Sequence, residues 1–196
     1  KEVISMSDIP VKRNHMEIPW HNYVSTRSSQ PITEASLSEK ASLIGRTGMM
    51  LLSCGTGAWR VRSSMNTLSE ALGITCSADI GLMSISYTCF DGESSFSHSL
   101  SLTTTGVNTS RLNRLEHFVS DFPVEGVHMS GEALHSQLDE IERIHGLYSP
   151  AALGLASALA CGAFTFLLGG GPLEMILAFA GAGIGNAIRC KLGKHQ

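Results

Sequence analysis

"AALGLASALACGAFTFLLGGGPL", residues 151–173, contains no charged side chain. Beyond Pro150 only Glu174, Arg189, Lys191 and Lys194 carry charge, so nearly all the charge lies upstream. A helix of about 23 residues reaches roughly 34 Å, enough for a hydrocarbon core of about 30 Å. The length therefore predicts a membrane span. A glycine- and alanine-rich core helix of a soluble protein is the competing reading, because small residues suit both. Gly154, Ala158 and Gly162 recur every four residues, as do Gly181 and Gly185. Such small-xxx-small faces let helices pack closely in lipid, so these five residues are the expected helix-packing positions. The second segment, "PLEMILAFAGAGIGNAI", follows "GGGP" and ends in "RCKLGK". Its cations predict a cytoplasmic C-terminal side, and a hairpin of two spans then returns the upstream domain to the same side.

The rest of the composition narrows the function classes. The chain has 196 residues, of which 16% are charged, against about 25% in an ordinary soluble domain. A net charge of -3 leaves no basic footprint for nucleic acid. Five cysteines with no C-x-x-C spacing predict individually packed, reduced thiols, which suits a cytosolic face. No apolar signal-peptide core opens the chain, and a first residue of lysine leaves open whether this is a complete gene product.

Three regions follow from periodicity. Residues 1–36 hold Pro10, Pro19, Pro31 and the run "STRSSQPITEAS" without a sustained period, and read as an extended arm or a disordered leader. Ile18, Trp20 and Tyr23 are the residues that would dock such an arm on a neighbour. Residues 37–148 read as a compact α+β domain. Leu37, Ala41, Ile44, Gly48 and Leu51 share one helical face until "CGTG" at 54–57, and Val61, Met65, Leu68 and Leu72 share another until Gly73. The period then becomes two: Met83, Ile85, Tyr87 and Cys89, then Phe96, His98, Leu100 and Leu102, flank "DG" at 91–92. That predicts an antiparallel hairpin with one apolar and one hydroxyl-rich face. Helices follow from Asn108, burying Leu112, Leu115, Val119 and Phe122, and from Ser130, ending at Gly146. Residues 149–193 are the membrane helical hairpin.

Upstream of the tail, the ordered motifs "GMMLLSCGTGAWRVRSSMNTLSEALGI", "GVNTSRLNRLEHF" and "LDEIERIHGLYSP" stand before the glycine-rich apolar segment. Over roughly residues 37–193 the sequence resembles the threonine/serine exporter family, including its split two-component members. The resemblance implies a cytoplasmic N-terminal domain, a bundle of spans in the inner membrane, and proton-driven efflux of small polar metabolites. Threonine and serine are the implied substrates, and a dicarboxylate such as succinate is the alternative for split members. Family members carry several spans beyond two. The implied partners are therefore further spans from the same chain or a second subunit, an oligomeric assembly and the bilayer. No enzyme activity and no cofactor is implied. A membrane-tethered interaction module without transport is the remaining alternative.

Candidate site residues are few. Glu174 and Asn186 are the polar residues of the second segment and the first candidates for a substrate or proton pathway. An interfacial carboxylate and an interhelical hydrogen bond are their plain structural readings. Arg60, with the Gly55/Gly57 turn, is a candidate for an anion, and its plain reading is a helix-helix turn. Arg111 and Arg114, near a helix start, are candidates for a substrate carboxylate, and their plain reading is as ties between helices, through Asp79 or Glu116. Eight histidines show no HExxH and no metal spacing. His98 reads as a satisfied core histidine. No nucleophile motif is present. The hydroxyl face of the hairpin reads as solvated, or as a contact with a like domain or partner subunit.

Overall fold

The computed structural model describes residues 18–24, 30–103, 105–144 and 148–192, with side chains as far as Arg189. The arm's residues 1–17 and 25–29, the expected helix stop at Gly146, and Lys194 lie outside them. The chain divides into two units after Gly146, and each is described by itself.

The first unit is built around one helix, α1 (Leu37–Ser53). Its start is a capping box: Ser36 Oγ accepts the Glu39 N–H, with glutamate at the third helical position. Gly55, at φ +78°, reverses the chain after it. Helix α2 (Ala58–Ala71) then runs to Gly73, at φ +67°. The expected one-sided burial of α1 is corrected here. Every residue from Ala41 to Leu52 is buried, because α2, the sheet and α4 all pack against this helix.

The sheet is a three-stranded antiparallel meander, β1 (Thr75–Ile80), β2 (Ser84–Phe90) and β3 (Ser95–Ser101), in the order β1-β2-β3. The predicted hairpin is β2–β3, with Tyr87 opposite His98 and Cys89 opposite Phe96. Strand β1 is an addition that the hairpin reading lacked, and it sets Cys76 opposite Cys89. Ile85, Tyr87, Cys89 and Leu100 point into the core. The outer face carries hydroxyl pairs across the strands, Ser86–Ser99 at 3.0 Å and Thr88–Ser97 at 2.8 Å.

Helices α3 (Thr109–Asp121) and α4 (Gly131–Glu142) close the unit, capped by Asn108 and Ser130. The expected arm is, over its described residues, part of this unit. Trp20–Tyr23 and Ile32–Glu34 form single 3-10 turns. Val24 and Ile32 are buried, and Ile18 and Trp20 pack on the core. Ile18, Trp20 and Val24 at the first turn and Ile32 at the second hold this segment without any period to betray it.

The second unit is a pair of helices, α5 (Pro150–Leu167) and α6 (Pro172–Leu192), joined through Gly169 at φ +85°. Ser149 caps α5 through the Ala152 N–H, with Pro150 in the first turn. Among the described residues, α5 is the helix long and apolar enough to cross a membrane.

Candidate functional site

Within the first unit the polar side chains converge on Arg46, which is only 3% exposed in the middle of α1. A guanidinium has five N–H donors, and burial makes each one need an acceptor. Nη1 donates to His135 Nδ1 at 3.3 Å and to the His135 carbonyl at 3.0 Å. Nη2 donates to Asp139 Oδ1 and to Glu142 Oε2, the latter at 2.9 Å. The Nε–H finds no acceptor among the described residues. Three successive turns of α4 thus supply one face that receives the charge.

His135 is buried and neutral. Burial, then the Arg46 charge, push its pKa down to about 3. Its Nδ1 accepts from Arg46, so its Nε2 carries the proton and faces Ser42 Oγ at 3.3 Å. His21, from the Trp20–Tyr23 turn, behaves oppositely. Its Nδ1 lies 3.1 Å from Glu132 Oε2 and its Nε2 lies 3.0 Å from Asp139 Oδ2. The hydrogen bond to Glu132, then Asp139, raises its pKa against the opposing effect of burial. Burial works to raise the Asp139 carboxyl, but hydrogen bonds from Arg46 and His21 outweigh it and hold the group below the usual range.

These groups border a cavity of about 630 Å³. Its walls include Ile18, Trp20, Met49 and Met50, and its polar side holds His21, Arg46, Asp139 and Glu142. The sequence reading missed this site. The signal was available: Arg46 is the only charge between Lys40 and Arg60, and a charge amid an apolar helical run needs a partner.

The residues singled out from sequence sit elsewhere. Arg60 pairs with Glu116 at 2.6 Å and lies 5.4 Å over the Trp59 ring. Arg111 donates to the carbonyls of Glu142 and Ile144, tying α3 to the end of α4. Both are ties between helices, and neither borders the cavity. His98 touches Tyr23, Tyr87 and Phe96, and its buried Nδ1 has no partner among the described residues. Cys76 and Cys89 are not individually packed. They are free thiols set opposite each other across β1 and β2, and their mutual interaction lowers the Cys76 pKa and raises that of Cys89. Among the described residues no group of His, Cys, Asp and Glu has metal-holding geometry.

In the second unit, Gly154, Ala158 and Gly162 form the buried seam of α5. Opposite them on α6 stands Gly183, whose added Cβ would lie 3.1 Å from the Ala158 Cβ. Gly181 and Gly185 have open space around them and lie off that seam. Asn186 Nδ2 donates to the Leu153 carbonyl at 3.0 Å, an interhelical hydrogen bond. Glu174 is exposed in the first turn of α6, where a carboxylate complements the helix dipole. Large apolar side chains, among them Leu155, Leu159, Phe164 and Ile176, point away from the pair.

No curated protein and no solved structure matches the chain. Residues 42–196 match the family described as "Putative threonine/serine exporter", ThrE. That match runs from within α1 through α6, most of the mixed domain together with the apolar helix pair. The work of such a family is translocation across a membrane, not transformation of a substrate. The chain belongs to the threonine/serine exporter family.

Proposed function

We propose that the chain is part of a proton-coupled exporter of threonine and serine in the cytoplasmic membrane, its mixed domain in the cytoplasm and α5 and α6 crossing as a hairpin. The observation that carries this reading is one family match that takes in both the domain and the helix pair. Arg189, Lys191 and Lys194 after the body of α6 favour a cytoplasmic C-terminus. Two spans then return the chain to the side on which it began. The 21 residues of α6 extend about 31 Å, with Glu174 at one end and Arg189 and Lys191 at the other, so this helix crosses only with its charged ends at the two headgroup layers. The Gly154–Gly183 seam and the Asn186 hydrogen bond make α5 and α6 one packed element.

Alternating access requires a pathway between elements that rearrange, which one helix pair does not enclose. Further spans, from the same chain or a second subunit, complete the pathway in an oligomeric assembly. The cytoplasmic domain gates the pathway or holds subunits together. The test is efflux from cells with the locus intact or deleted, loaded with labelled threonine and separately with labelled succinate. Faster threonine loss with the locus intact is expected, and a protonophore should abolish the difference. Loss of succinate alone moves the substrate to dicarboxylates. No difference for either removes the exporter reading, and a difference that survives the protonophore removes the proton coupling.

A further inference from the structure

Cys76 and Cys89 are both free thiols, and the register of β1 on β2 sets them directly opposite each other. Opposed residues of an antiparallel pair alternate between hydrogen-bonded and non-hydrogen-bonded positions. The Gly81 N–H donates to the Ser84 carbonyl at 2.8 Å, so Gly81 and Ser84 are a hydrogen-bonded pair. Cys76 and Cys89 stand five register steps further on, an odd number, which makes them a non-hydrogen-bonded pair. The Cα atoms of such a pair lie about 4.5 Å apart with their side chains on one face. That is inside the range of about 4.4–6.8 Å that a disulfide spans. The two sulfurs differ in access. Cys89, on the central strand, is fully buried in the core, whereas Cys76, on the edge strand, is half-buried. The interaction with Cys89 outweighs burial and lowers the Cys76 pKa, which favours its nucleophilic thiolate. Cys54 closes α1 and Cys161 lies within α5, so neither belongs to the sheet.

We propose that Cys76 and Cys89 form a reversible redox site, at which a hydroperoxide oxidises the pair to a disulfide that fastens the edge strand β1 to β2. The Cys76 thiolate attacks the O–O bond of the hydroperoxide, and its sulfur becomes a sulfenic acid. The leaving oxygen takes up the proton that the Cys76 thiol released, and departs as an alcohol or, from hydrogen peroxide, as water. The Cys89 sulfur then attacks the Cys76 sulfur: the S–S bond forms, the S–OH bond breaks, and the hydroxide leaves as water with the Cys89 proton. Two thiols have lost two electrons, and the O–O bond has gained them. A dithiol reductant reverses the step by exchange and is itself left as a disulfide. Burial keeps the oxidant from Cys89, so Cys76 is the sulfur that meets it and Cys89 the one that resolves it. The inference rests on the sheet alone and depends on neither the membrane span nor the exported substrate.

The test uses the full chain, reduced and held in detergent. It is treated with one equivalent of hydrogen peroxide, the remaining thiols are alkylated, and the peptides are mapped by mass. Cleavage after Arg62 and Arg111 leaves both cysteines on one peptide, and cleavage before Asp79 separates them unless a disulfide joins them. Cys76–Cys89 is expected as the main disulfide, opened again by dithiothreitol. The joined chain should melt several degrees above the reduced one. Cys89→Ala should leave Cys76 as a sulfenic acid that dimedone traps, and Cys76→Ala should leave Cys89 a free thiol through the same treatment. The proposal is overturned if both cysteines remain thiols, if Cys76 joins another cysteine, or if Cys76 passes to sulfinic acid with Cys89 untouched. A disulfide that does not raise the melting temperature overturns it equally. The unsubstituted chain decides the matter even where a variant fails to fold.

Discussion

His21 sits with a carboxylate at each ring nitrogen, Glu132 at Nδ1 and Asp139 at Nε2. A neutral imidazole has one N–H, so only the imidazolium donates to both. Its raised pKa means the stabilisation is fully present below the unfolded value of about 6.5 and is lost as pH rises through the folded value. The exposure of the pair limits the effect to about 1 kcal/mol or less. His135 has the opposite sign. It stays neutral when folded, so stability falls as pH drops from about 6.5 towards its folded pKa of about 3. The melting temperature of the full chain should therefore peak near pH ~6.5, and His21→Gln should flatten only the alkaline limb. An alkaline limb unchanged in that variant would show that His21 is not clamped. Gly45 makes a steric claim of the same kind. A Cβ there would lie 2.2 Å from Tyr87 Oη, whose hydrogen bond to the Ala41 carbonyl is buried. Gly45→Ala should cost about 1–3 kcal/mol by denaturant unfolding. Because the clash begins at the hydroxyl, Gly45→Ala with Tyr87→Phe should cost less than the sum of the single changes, and strict additivity would refute the contact.

Elements with a strong period were legible in the sequence, and those held by a few anchors were not. The helices beginning at Leu37, Ala58, Thr109 and Gly131 show apolar stripes and side-chain or glycine caps, and β2 and β3 alternate on either side of Asp91-Gly92. Strand β1 was missed because its inner residues, Cys76, Ala78 and Ile80, are only half-buried, and two of them are small. For α1, the stripe revealed a helix, but the burial of its remaining faces depends on α4, ninety residues away. That distance also hid the Arg46 site, since its partners His135, Asp139 and Glu142 share no local pattern with it. The helix pair shows the same limit. "GAGIG" offers Gly181, Gly183 and Gly185 at spacing two, and only packing against α5 selects Gly183. Gly183→Leu should thus lower the melting temperature of the detergent-solubilised chain, by the equivalent of about 1–3 kcal/mol. Gly181→Leu, with nothing within 4 Å of its added Cβ, should leave it unchanged. Equal loss in both variants would place the seam elsewhere.

The two units differ in the solvent their surfaces demand. In the first, the apolar cluster runs from Ile32 to Leu138 and is closed over by polar faces, including the hydroxyl side of the sheet. In the second, only Gly154, Ala158 and Gly162 of α5 are buried, while Phe166 and Leu167 are 65% and 75% exposed. Monomeric soluble proteins rarely expose contiguous apolar patches larger than a few hundred Å², so this helix pair requires a cover. Lipid is the cover that also fits the length of α5 and the family match. The prediction has two arms. Expressed in cells, the full chain should stay with membranes after alkaline carbonate and be released by detergent. Residues 1–146 alone should stay in the soluble fraction, with helical circular dichroism and one cooperative melt, because among the described residues none of the core cluster lies beyond Ile141. Release of the full chain by carbonate would refute the span and require a protein partner over α5 and α6. Aggregation of residues 1–146 would instead mean that the first unit depends on the helix pair to fold, which its closed core argues against.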